Sequence, residues 1–475
     1  MKALKKPFLL ICLMLFVIMA ACSGNTEKPQ DQGNAGGDAQ AAEQTGSNGE
    51  ETKPEAEPEQ SDEKIFDLNG ETVKIGLWWD GADPRETKAE ERTPAAEMMV
   101  KKIEEVEKKY NAKIEFVKFA DYENYVEHFT TTSLAGEPFA DVVVLELFWA
   151  FPTLAEKGLI EPIDQWLDMS DPKYNEWMRT GGSYKGKQYG HYDGSPSPYG
   201  FYYNKTLVEK LGLEDPYELQ QKGEWTWDVF RDYVKRATKD TDGDGKTDIY
   251  GIAGANGGVK WLAEQFIYVN NGAVDKDENG EIKFSLDSPQ AIEALQFVSD
   301  LYNVDKSIKP NVEDQTKEFV SGNGVFYAGF SWELSGLIEG LAGQEIGYVF
   351  LPKGPNADDY KSYTPFGNMY FAAKYSKNAE AAMHIYDEIN LYGEGRKLTE
   401  ESWAMSWPSK ESLDTRKQMY DKIGYISYYA VPDGEKLFES VVKDITDGKV
   451  TPATAVDKVK QQFEANIGKL LSDSK

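Results

Sequence analysis

Asp141-Val142-Val143-Val144-Leu145 is a nearly continuous apolar run, and it sets the fold class that we predict for this chain. Such a run is typical of a β-strand that is buried on both faces of a sheet. Alternating apolar residues predict two earlier strands at residues 72–78 and 112–119, and helical spacing of apolar residues predicts a helix after each of them. Strand, helix, strand, helix and strand in this order predict an α/β fold with a parallel sheet and right-handed crossovers.

Aromatic and acidic side chains follow each of the three predicted strands. In a parallel sheet, ligands bind outside the carboxyl ends of the strands. Flat rings stack on the apolar faces of sugars, and carboxylates accept hydrogen bonds from hydroxyl groups. The pattern therefore favours a sugar-binding site at this edge of the sheet. For any single aromatic ring, the alternative is that it packs in the hydrophobic core. The residues at the three strand ends are Trp78, Trp79 and Asp80, then Asp121 and Tyr122, then Glu146, Phe148 and Trp149.

The N-terminus has the pattern of a bacterial export signal. Three lysines among the first six residues precede an apolar run at residues 8–19, and two alanines come directly before Cys22. This arrangement predicts a signal peptide at residues 1–21 and no membrane span. Cys22 resembles the lipidated first residue of a bacterial lipobox; the alternative is an ordinary signal peptide with an incidental cysteine. The other cysteine, Cys12, lies within the signal, so we expect no internal disulfide in the exported chain.

The composition of the segment between this signal and the folded part predicts a disordered tether at residues 22–64. From residue 23 onward it contains no aromatic residue and no Val, Ile, Leu or Met, so it cannot bury enough apolar surface to become ordered. The formal net charge of the whole chain is −29. This charge argues against nucleic-acid binding and against attachment to anionic lipid through basic residues, so we expect membrane contact through a lipid anchor only.

The stretch Asp240-Thr-Asp-Gly-Asp-Gly-Lys-Thr-Asp248 has the spacing of a calcium-binding loop. Carboxylates occupy its first, third, fifth and ninth positions, and a glycine occupies the sixth, where the backbone must bend sharply. Gly251 stands where the usual bidentate glutamate would be, so water and a distant group would complete the shell, and a solvated turn is the alternative. We expect a structural ion, because the loop follows a helix and no strand end. The expected ligands are Asp240, Asp242, Asp244, the carbonyl oxygen of Lys246, and Asp248.

Further motifs follow one another in an ordered set. They are Asp141-Val-Val-Val-Leu145, Leu154-Ala-Glu-Lys-Gly-Leu-Ile-Glu-Pro-Ile-Asp164, Tyr202-Tyr-Asn-Lys205, Gly223-Glu-Trp-Thr-Trp-Asp228 with Asp242-Gly-Asp-Gly245, and Phe319-Val-Ser-Gly-Asn-Gly-Val-Phe326. From Val73 to the C-terminus the chain resembles the bacterial extracellular solute-binding proteins of family 1, the lipoprotein receptors that deliver carbohydrates to ABC importers. The resemblance implies a two-lobe, type II periplasmic-binding-protein-like fold similar to maltose-binding protein. Its parallel-sheet lobes would be joined by a hinge, with the ligand in the cleft between them.

The resemblance also implies where the chain passes between the lobes. The first lobe would comprise residues 65–195 plus 330–367, and the second lobe residues 196–329 plus 368–475. The chain would return to the first lobe near residues 326–329 and cross again near residues 366–368. The length of the folded part independently favours two lobes, because it exceeds the roughly 250–300 residues at which a single core stops growing.

The resemblance further implies which side chains face the ligand. Trp332 is the strongest choice, because Gly329-Phe-Ser-Trp-Glu333 matches the place where the family commonly has a stacking ring; packing in the hinge is its alternative. The resemblance implies one ligand-binding tryptophan in a loop near the C-terminus, either Trp403 or Trp407. For both residues, packing in the protein interior is as plausible as contact with the ligand. The implied ligand-binding residues are Trp78, Trp79, Asp80, Glu146, Trp149, Trp261, Trp332, Glu333, Asn368, Tyr370 and Trp403.

The expectation for function is a monomeric, lipid-anchored receptor on the extracellular face of a Gram-positive cell membrane. It would bind a carbohydrate, an oligosaccharide by preference, and pass it to the permease subunits of an ABC importer without acting as an enzyme. A surface sugar sensor or adhesin with the same fold stays open, and so does a glycoside hydrolase. The hydrolase has little specific support, because 81 acidic residues make any carboxylate pair unspecific and none of the three histidines has zinc or triad spacing.

Overall fold

The computed structural model describes residues 66–192, 194, 196–272, 282–364, 366–425 and 428–473. The predicted signal peptide at residues 1–21, the lipidation site Cys22 and the predicted tether at residues 22–64 lie outside the described residues. None of the helices within the described ranges has both the length and the apolar character that crossing a membrane requires.

The described residues form thirteen strands, which are numbered in chain order. They are β1 Thr72–Leu77, β2 Lys113–Lys118, β3 Val142–Glu146, β4 Ile160–Glu161, β5 Ser183–Tyr184, β6 Lys187–Gln188, β7 Tyr199–Asn204, β8 Tyr250–Ala255, β9 Gly324–Phe330, β10 Ile346–Val349, β11 Ser362–Thr364, β12 Asn368–Ala373 and β13 Ile423–Tyr425. The three strands predicted in the first half of the first lobe therefore exist, with ends that differ by one or two residues.

The α-helices of the described residues are numbered in the same way. They are α1 Pro94–Tyr110, α2 Tyr122–Leu134, α3 Leu147–Trp149, α4 Glu176–Gly181, α5 Lys205–Lys210, α6 Pro216–Gln221, α7 Trp227–Ala237, α8 Gly258–Val269, α9 Pro289–Ser299, α10 Gln315–Glu318, α11 Leu334–Gly340, α12 Ala379–Ile389, α13 Glu394–Ser406, α14 Lys410–Tyr420, α15 Gly434–Thr446 and α16 Pro452–Asp473. Short 3-10 or π turns connect several of them, including the turn Ser331–Glu333 directly after β9.

The first lobe is built on a five-stranded sheet with the strand order β2-β1-β3-β12-β4. β1 pairs in parallel with both β2 and β3, as predicted. β12 and β4 complete the sheet in the antiparallel direction. All five residues of β3 are buried, which agrees with the apolar run from which its position was predicted.

Helix α1 holds the first strand of this sheet in place. The side chain of Thr93 accepts a hydrogen bond from the backbone N–H of Ala96, and Pro94 occupies the first turn, where no backbone donor is needed. The helix ends at Asn111, whose backbone is left-handed with φ of 46°. One face of the helix packs with β1 in a single hydrophobic cluster, so the carboxyl end of β1 is rigidly placed; that face carries Ile103, Val106 and Tyr110.

The second lobe is built on a four-stranded sheet with the order β10-β7-β9-β8. β8 and β9 are parallel, whereas β7 pairs in the antiparallel direction with both β9 and β10. Trp225 is fully buried in this lobe, and its indole N–H donates a hydrogen bond of 2.8 Å to the carbonyl of Phe350. Each sheet thus has the expected parallel pairing, and antiparallel strands complete both.

The predicted lobe boundaries in the second half of the chain are wrong. β9 lies between β7 and β8, so the chain does not return to the first lobe near residues 326–329. β12, which was assigned to the second lobe, pairs along its length with β3 of the first. The error has a physical cause: buried strands of both sheets are similarly apolar, so a strand's own sequence does not specify which sheet it joins.

The helices after β12 show a further crossing. α13 packs against α1 of the first lobe, whereas α14 packs against β10 of the second. α15 and α16 then pack with α8 and α9. Residues 368–406 therefore belong with the first lobe, and α14 to α16 finish the second lobe, as the resemblance implied for the C-terminal helices.

A buried polar cluster fixes the chain where it leaves the first lobe. The backbone N–H of His191 donates to the carbonyl of Tyr370 at 2.8 Å, and the N–H of Tyr370 donates back at 2.9 Å. The imidazole Nε2 of His191 lies 2.8 Å from a carboxylate oxygen of Asp387 on α12. The segment leading to the second lobe is thereby joined to both β12 and α12.

Three more side chains converge on the Asp387 carboxylate. Tyr174 donates a hydrogen bond at 3.0 Å, Tyr392 donates one at 2.8 Å, and the ammonium group of Lys173 forms an ion pair at 2.8 Å. Burial alone would raise the pKa of Asp387, but the hydrogen bonds and charges of His191 and Lys173 outweigh it and hold the pKa well below its ordinary value of 3.8. The carboxylate therefore stabilises the folded state in its ionised form.

We expect Asp387→Asn to lower the free energy of unfolding at neutral pH by about 3–5 kcal/mol, because the buried partners lose their counter-charge. Since the pKa is depressed in the folded state, this contribution is present above the ordinary pKa of 3.8 and is lost as the pH falls below it. Urea denaturation of the variant and of the exposed-site control Glu439→Gln, at neutral and at acidic pH, measures both effects. Equal midpoints for the two variants at neutral pH would contradict the role of this cluster.

Candidate functional site

A cavity of about 1050 Å³ lies between the lobes and is lined by residues of both. The carboxyl ends of β1 and β3 and the first residue of β12 contribute the wall of the first lobe. The second lobe contributes the start of α8, the end of β9 with the turn that follows it, and α14. The lining side chains include Trp78, Tyr122, Glu146, Trp149 and Asn368 from the first wall, Trp261, Phe330, Trp332, Phe366 and Arg416 from the second, and Trp403 with Trp407 from α13 and its end.

Trp78 is the centre of the aromatic wall of the first lobe. Its ring makes edge-on contacts with the rings of Trp79, Tyr122, Tyr125 and Trp149, at centroid distances of 5.1–5.5 Å. Such perpendicular packing is favourable because the positive edge of one ring meets the negative face of another. The contacts hold Trp78 and Trp149 in fixed orientations at the cleft, where both were predicted from the strand ends.

Glu146 is the last residue of β3 and is only 2% exposed. Burial raises the pKa of its carboxyl group to about 8, although a hydrogen bond with Asn368 acts in the opposite direction. At neutral pH the group is therefore mainly protonated and carries both a donor and acceptor capacity. Its Oε2 atom has no hydrogen-bond partner among the described residues.

The wall of the second lobe is also aromatic. Trp261 contacts Phe366 at a centroid distance of 4.8 Å, and its buried indole N–H finds no acceptor within the described part of the chain. Trp332 stacks on Phe330 with an angle of 11° between the ring planes. The Trp332 side chain remains 65% exposed, so much of its surface is open to the cleft.

Four of the residues implied by the resemblance lie outside the cleft lining. Trp79 packs edge-on against Trp78, and the exposed Asp80 carboxylate pairs with Lys118 at 2.9 Å. Tyr370 stacks on Tyr386 in the first lobe at 4.4 Å. The fourth residue is Glu333.

Glu333 faces the interior of the second lobe. Its carboxylate accepts hydrogen bonds from the backbone N–H of Phe330 at 2.7 Å and from the hydroxyl of Tyr327 at 2.6 Å. Burial raises its pKa, and these hydrogen bonds act in the opposite direction. Glu333 thus holds the turn that presents Trp332 to the cleft, and it positions the ring without itself lining the cavity.

Arg416 is a cleft residue that the sequence reasoning missed. It lies on α14, where it is surrounded in the sequence by ordinary polar helix residues that give no signal of a binding site. Its guanidinium group packs against the rings of Trp403 at 4.4 Å and Trp407 at 5.5 Å. Only the tertiary arrangement of α13, α14 and the turn between them brings these three side chains together.

The predicted calcium loop lies on the surface after α7 and contributes nothing to the cleft lining. It brings carboxylate oxygens of Asp240, Asp242 and Asp244 within 4.8 Å of one another. Asp248 instead accepts hydrogen bonds from the backbone N–H and the hydroxyl of Thr241, at 2.7 and 2.6 Å. Three of the four predicted carboxylate ligands therefore form a cluster that fits a hard cation, and the fourth would have to turn toward it.

Solved proteins share this fold at low sequence identity. An ABC substrate-binding protein from Listeria monocytogenes in complex with cycloalternan is 17% identical, with a TM-score of 0.61 over 85% of this chain and 99% of that chain. The GacH receptor of Streptomyces glaucescens, studied unliganded and with acarbose, is 18% identical, with a TM-score of 0.62 over 86% and 100% of the two chains. UgpB from Mycobacterium tuberculosis in complex with glycerophosphocholine is 15% identical, with a TM-score of 0.64 over 84% and 99%.

At these identities the similarities establish the two-lobe fold. The sequence itself gives independent evidence of the family, because the model of the bacterial extracellular solute-binding protein family matches residues 89–385. Since this match spans more than half of the 475 residues, the chain belongs to the bacterial extracellular solute-binding protein family.

Proposed function

We propose that this protein is a lipid-anchored receptor that binds a carbohydrate in the cleft between its lobes and delivers it to the permease subunits of an ABC importer. The observation that carries the proposal is the presence of aromatic walls on both sides of a cavity of about 1050 Å³. Rings from two sides can cover the apolar faces of a sugar, and a cavity of this volume accepts more than one sugar ring. The cycloalternan and acarbose complexes of the structural relatives support a saccharide ligand.

The polar atoms of the cleft suit hydroxyl groups. The protonated carboxyl group of Glu146 can donate a hydrogen bond to one hydroxyl group and accept one from another. The indole N–H of Trp261 and Oε2 of Glu146 have no partner among the described residues, and buried polar atoms of this kind are costly unless they are paired. A sugar hydroxyl that reached either atom would satisfy it.

The position of the cleft between the lobes supports a receptor whose conformation changes when a ligand binds. A ligand between the walls contacts both lobes, so it binds a closed arrangement more tightly than an open one and shifts the population toward closure by that difference in affinity. The permease subunits would then recognise the closed form. This role requires binding without chemical change of the ligand, which agrees with a family of binding proteins.

The anchor, the location and the assembly state are part of the same proposal. Cys22 would carry the acyl chains, and residues 22–64 would tether the folded part to the extracellular face of a Gram-positive cell membrane. The net charge of −29 on the full chain disfavours both self-association and contact with nucleic acid, which supports a monomer.

We also propose that the loop from Asp240 to Asp248 binds a structural calcium ion. The support is the cluster of Asp240, Asp242 and Asp244 together with the two left-handed glycines, Gly243 and Gly245, that bend the backbone around it. A bound cation would relieve the repulsion among these carboxylates. The role is structural, because the loop lies outside the cleft.

Trp332→Ala is expected to weaken the binding of the best saccharide ligand by about tenfold or more, because exposed stacking rings act as binding hot spots. Isothermal titration calorimetry against a panel of mono- and oligosaccharides measures this loss. Tyr375→Ala is the matched control, since Tyr375 is also a large exposed aromatic residue, 49% exposed, but does not line the cleft. Equal affinities of the two variants would remove Trp332 from the site, and hydrolysis of a panel member would favour the glycosidase alternative.

Calcium is expected to raise the melting temperature of the wild type, because ligands that bind only the folded state stabilise it by mass action. The shift should disappear in Asp242→Asn and persist in Asp358→Asn, which changes an exposed aspartate outside the loop. Thermal unfolding with calcium and with a chelator provides the measurement. If chelation abolished sugar binding without lowering the melting temperature, the structural role would be refuted.

Cys22→Ser is expected to abolish incorporation of labelled palmitate in the bacterial cell and to release the protein into the medium. Cys12→Ser changes the only other cysteine of the chain and should leave both unchanged. Metabolic labelling and cell fractionation check this outcome. Continued labelling of the Cys22→Ser protein would show that the anchor lies elsewhere.

A further inference from the structure

Arg416 occupies an unusual electrostatic position in the cleft. Its side chain is only 9% exposed, yet it lines the cavity. Aromatic rings surround the guanidinium group, with the ring centroids of Trp403, Tyr420 and Trp407 at 4.4, 4.7 and 5.5 Å. Within the described part of the chain, no carboxylate forms an ion pair with Arg416 and no acceptor takes a hydrogen bond from it.

Two other partly buried arginines of this protein have acidic partners. Arg85 pairs with Asp83 at 2.7 Å and with Glu107 at 3.0 Å. Arg231 pairs with Asp300 at 3.0 Å and with a second aspartate, Asp305, at 2.5 Å. These ion pairs raise the pKa of Arg85 and Arg231, whereas burial lowers the pKa of Arg416. The fold thus supplies counter-charges to Arg85 and Arg231 and, within the described residues, none to Arg416.

A buried charge without a partner is costly, and cation–π contacts offset only part of that cost. Aromatic rings interact with the faces of the planar guanidinium group, whereas its five N–H donors point outward in its plane. Because Arg416 lines the cavity and no hydrogen bond within the described residues uses these donors, they are available to a ligand in the cleft. A guanidinium group can hold an anion through two parallel hydrogen bonds. The site is therefore preorganised for a ligand group that carries negative charge.

We propose that the carbohydrate bound in the cleft is acidic, with a carboxylate that docks on the guanidinium group of Arg416. This inference rests on the proposed function and specifies its ligand class as a uronate-containing saccharide. Sulfate and phosphate esters share the anionic chemistry. A carboxylate matches the single charge of Arg416 better than a phosphomonoester does, and the test below distinguishes it from a sulfate ester. Arg416 is the only lysine or arginine among the described residues that line the cleft, and a phosphomonoester carries about −1.5 to −2 at neutral pH.

The surrounding acidic residues do not contradict this assignment. Glu146 is mainly uncharged at neutral pH because burial raises its pKa to about 8. Glu435 also lines the cleft, but its carboxylate forms an ion pair with Lys260. Glu123 lies on the exposed first turn of α2, where solvent screens its charge. Arg416 thus carries the only buried, uncompensated charge on the described cleft wall.

The test compares each acid with its own uncharged methyl ester. The full chain, purified in mild detergent, is titrated calorimetrically with uronate-containing oligosaccharides, with their methyl esters, and with sulfated and phosphorylated oligosaccharides of the same length. We expect at least one uronate to bind about 10- to 100-fold more tightly than its ester, the range of a charge-assisted hydrogen-bonded pair. Arg416→Gln should reduce this acid-to-ester ratio to about one, and Arg416→Lys should retain part of it, because lysine keeps the charge but loses the planar fork.

The acid-to-ester ratio is measured within each variant, so an unfolded fraction of the protein affects both affinities equally and cancels from the ratio. If Arg416 had only a structural role, its substitution would leave this ratio unchanged. Arg179→Gln, which removes an exposed arginine outside the cleft lining, is the matched control and should keep the wild-type ratio. Equal binding of acids and esters by the wild type, with tight binding of neutral sugars, would overturn this inference and leave the proposed function intact. Preference for a sulfated or phosphorylated sugar would overturn the carboxylate assignment, and failure to bind any saccharide would overturn the proposed function itself.

Discussion

The antiparallel pairing of β12 with β3 is the interaction on which the rest of the structure depends. Its register places Asn368 opposite Glu146, at the sheet edge where β1 and β3 present their tryptophans to the cleft. The same ladder leads into α12, whose Asp387 holds the segment that leaves the first lobe. The backbone hydrogen bonds of β12 therefore determine where the chain re-enters the first lobe. They also position the cleft wall of the first lobe that faces the second lobe.

Burial disfavours the charged form of two groups that line the cleft, Glu146 and Arg416, but only Glu146 loses most of its charge at neutral pH. Burial keeps the carboxyl group of Glu146 mainly protonated at neutral pH, whereas Arg416 stays charged because an arginine pKa lies far above neutrality even when it is lowered. The buried wall therefore presents a positive point within a chain of net charge −29. In a cavity partly shielded from water by aromatic rings, this nearby charge acts on a ligand more strongly than distant surface charges do.

Sequence reasoning located the cleft better than it selected side chains within it. Strand ends and the turn after β9 were the right places, and Trp78, Glu146, Trp149 and Trp332 line the cavity. Trp79 does not; it lies in the bend after β1 and packs edge-on against Trp78. Tyr370 lies two residues further along β12 than Asn368, about 7 Å from the cleft edge, and therefore packs in the first lobe. Arg416 gave no local signal at all.

The sequence by itself determined the local elements and the class of the protein. Apolar periodicity gives strands and helices, and an ordered set of motifs indicates the solute-binding family. Only the tertiary structure decided which sheet β9 and β12 join, which rings reach the cleft, and that Arg416 lies there without a counter-charge. The physical reason is that burial and periodicity are properties of a segment, whereas strand partners and charge compensation depend on residues far apart in the chain. Glu146 and Asn368 illustrate this, since they are 222 positions apart along the chain and adjacent in the sheet.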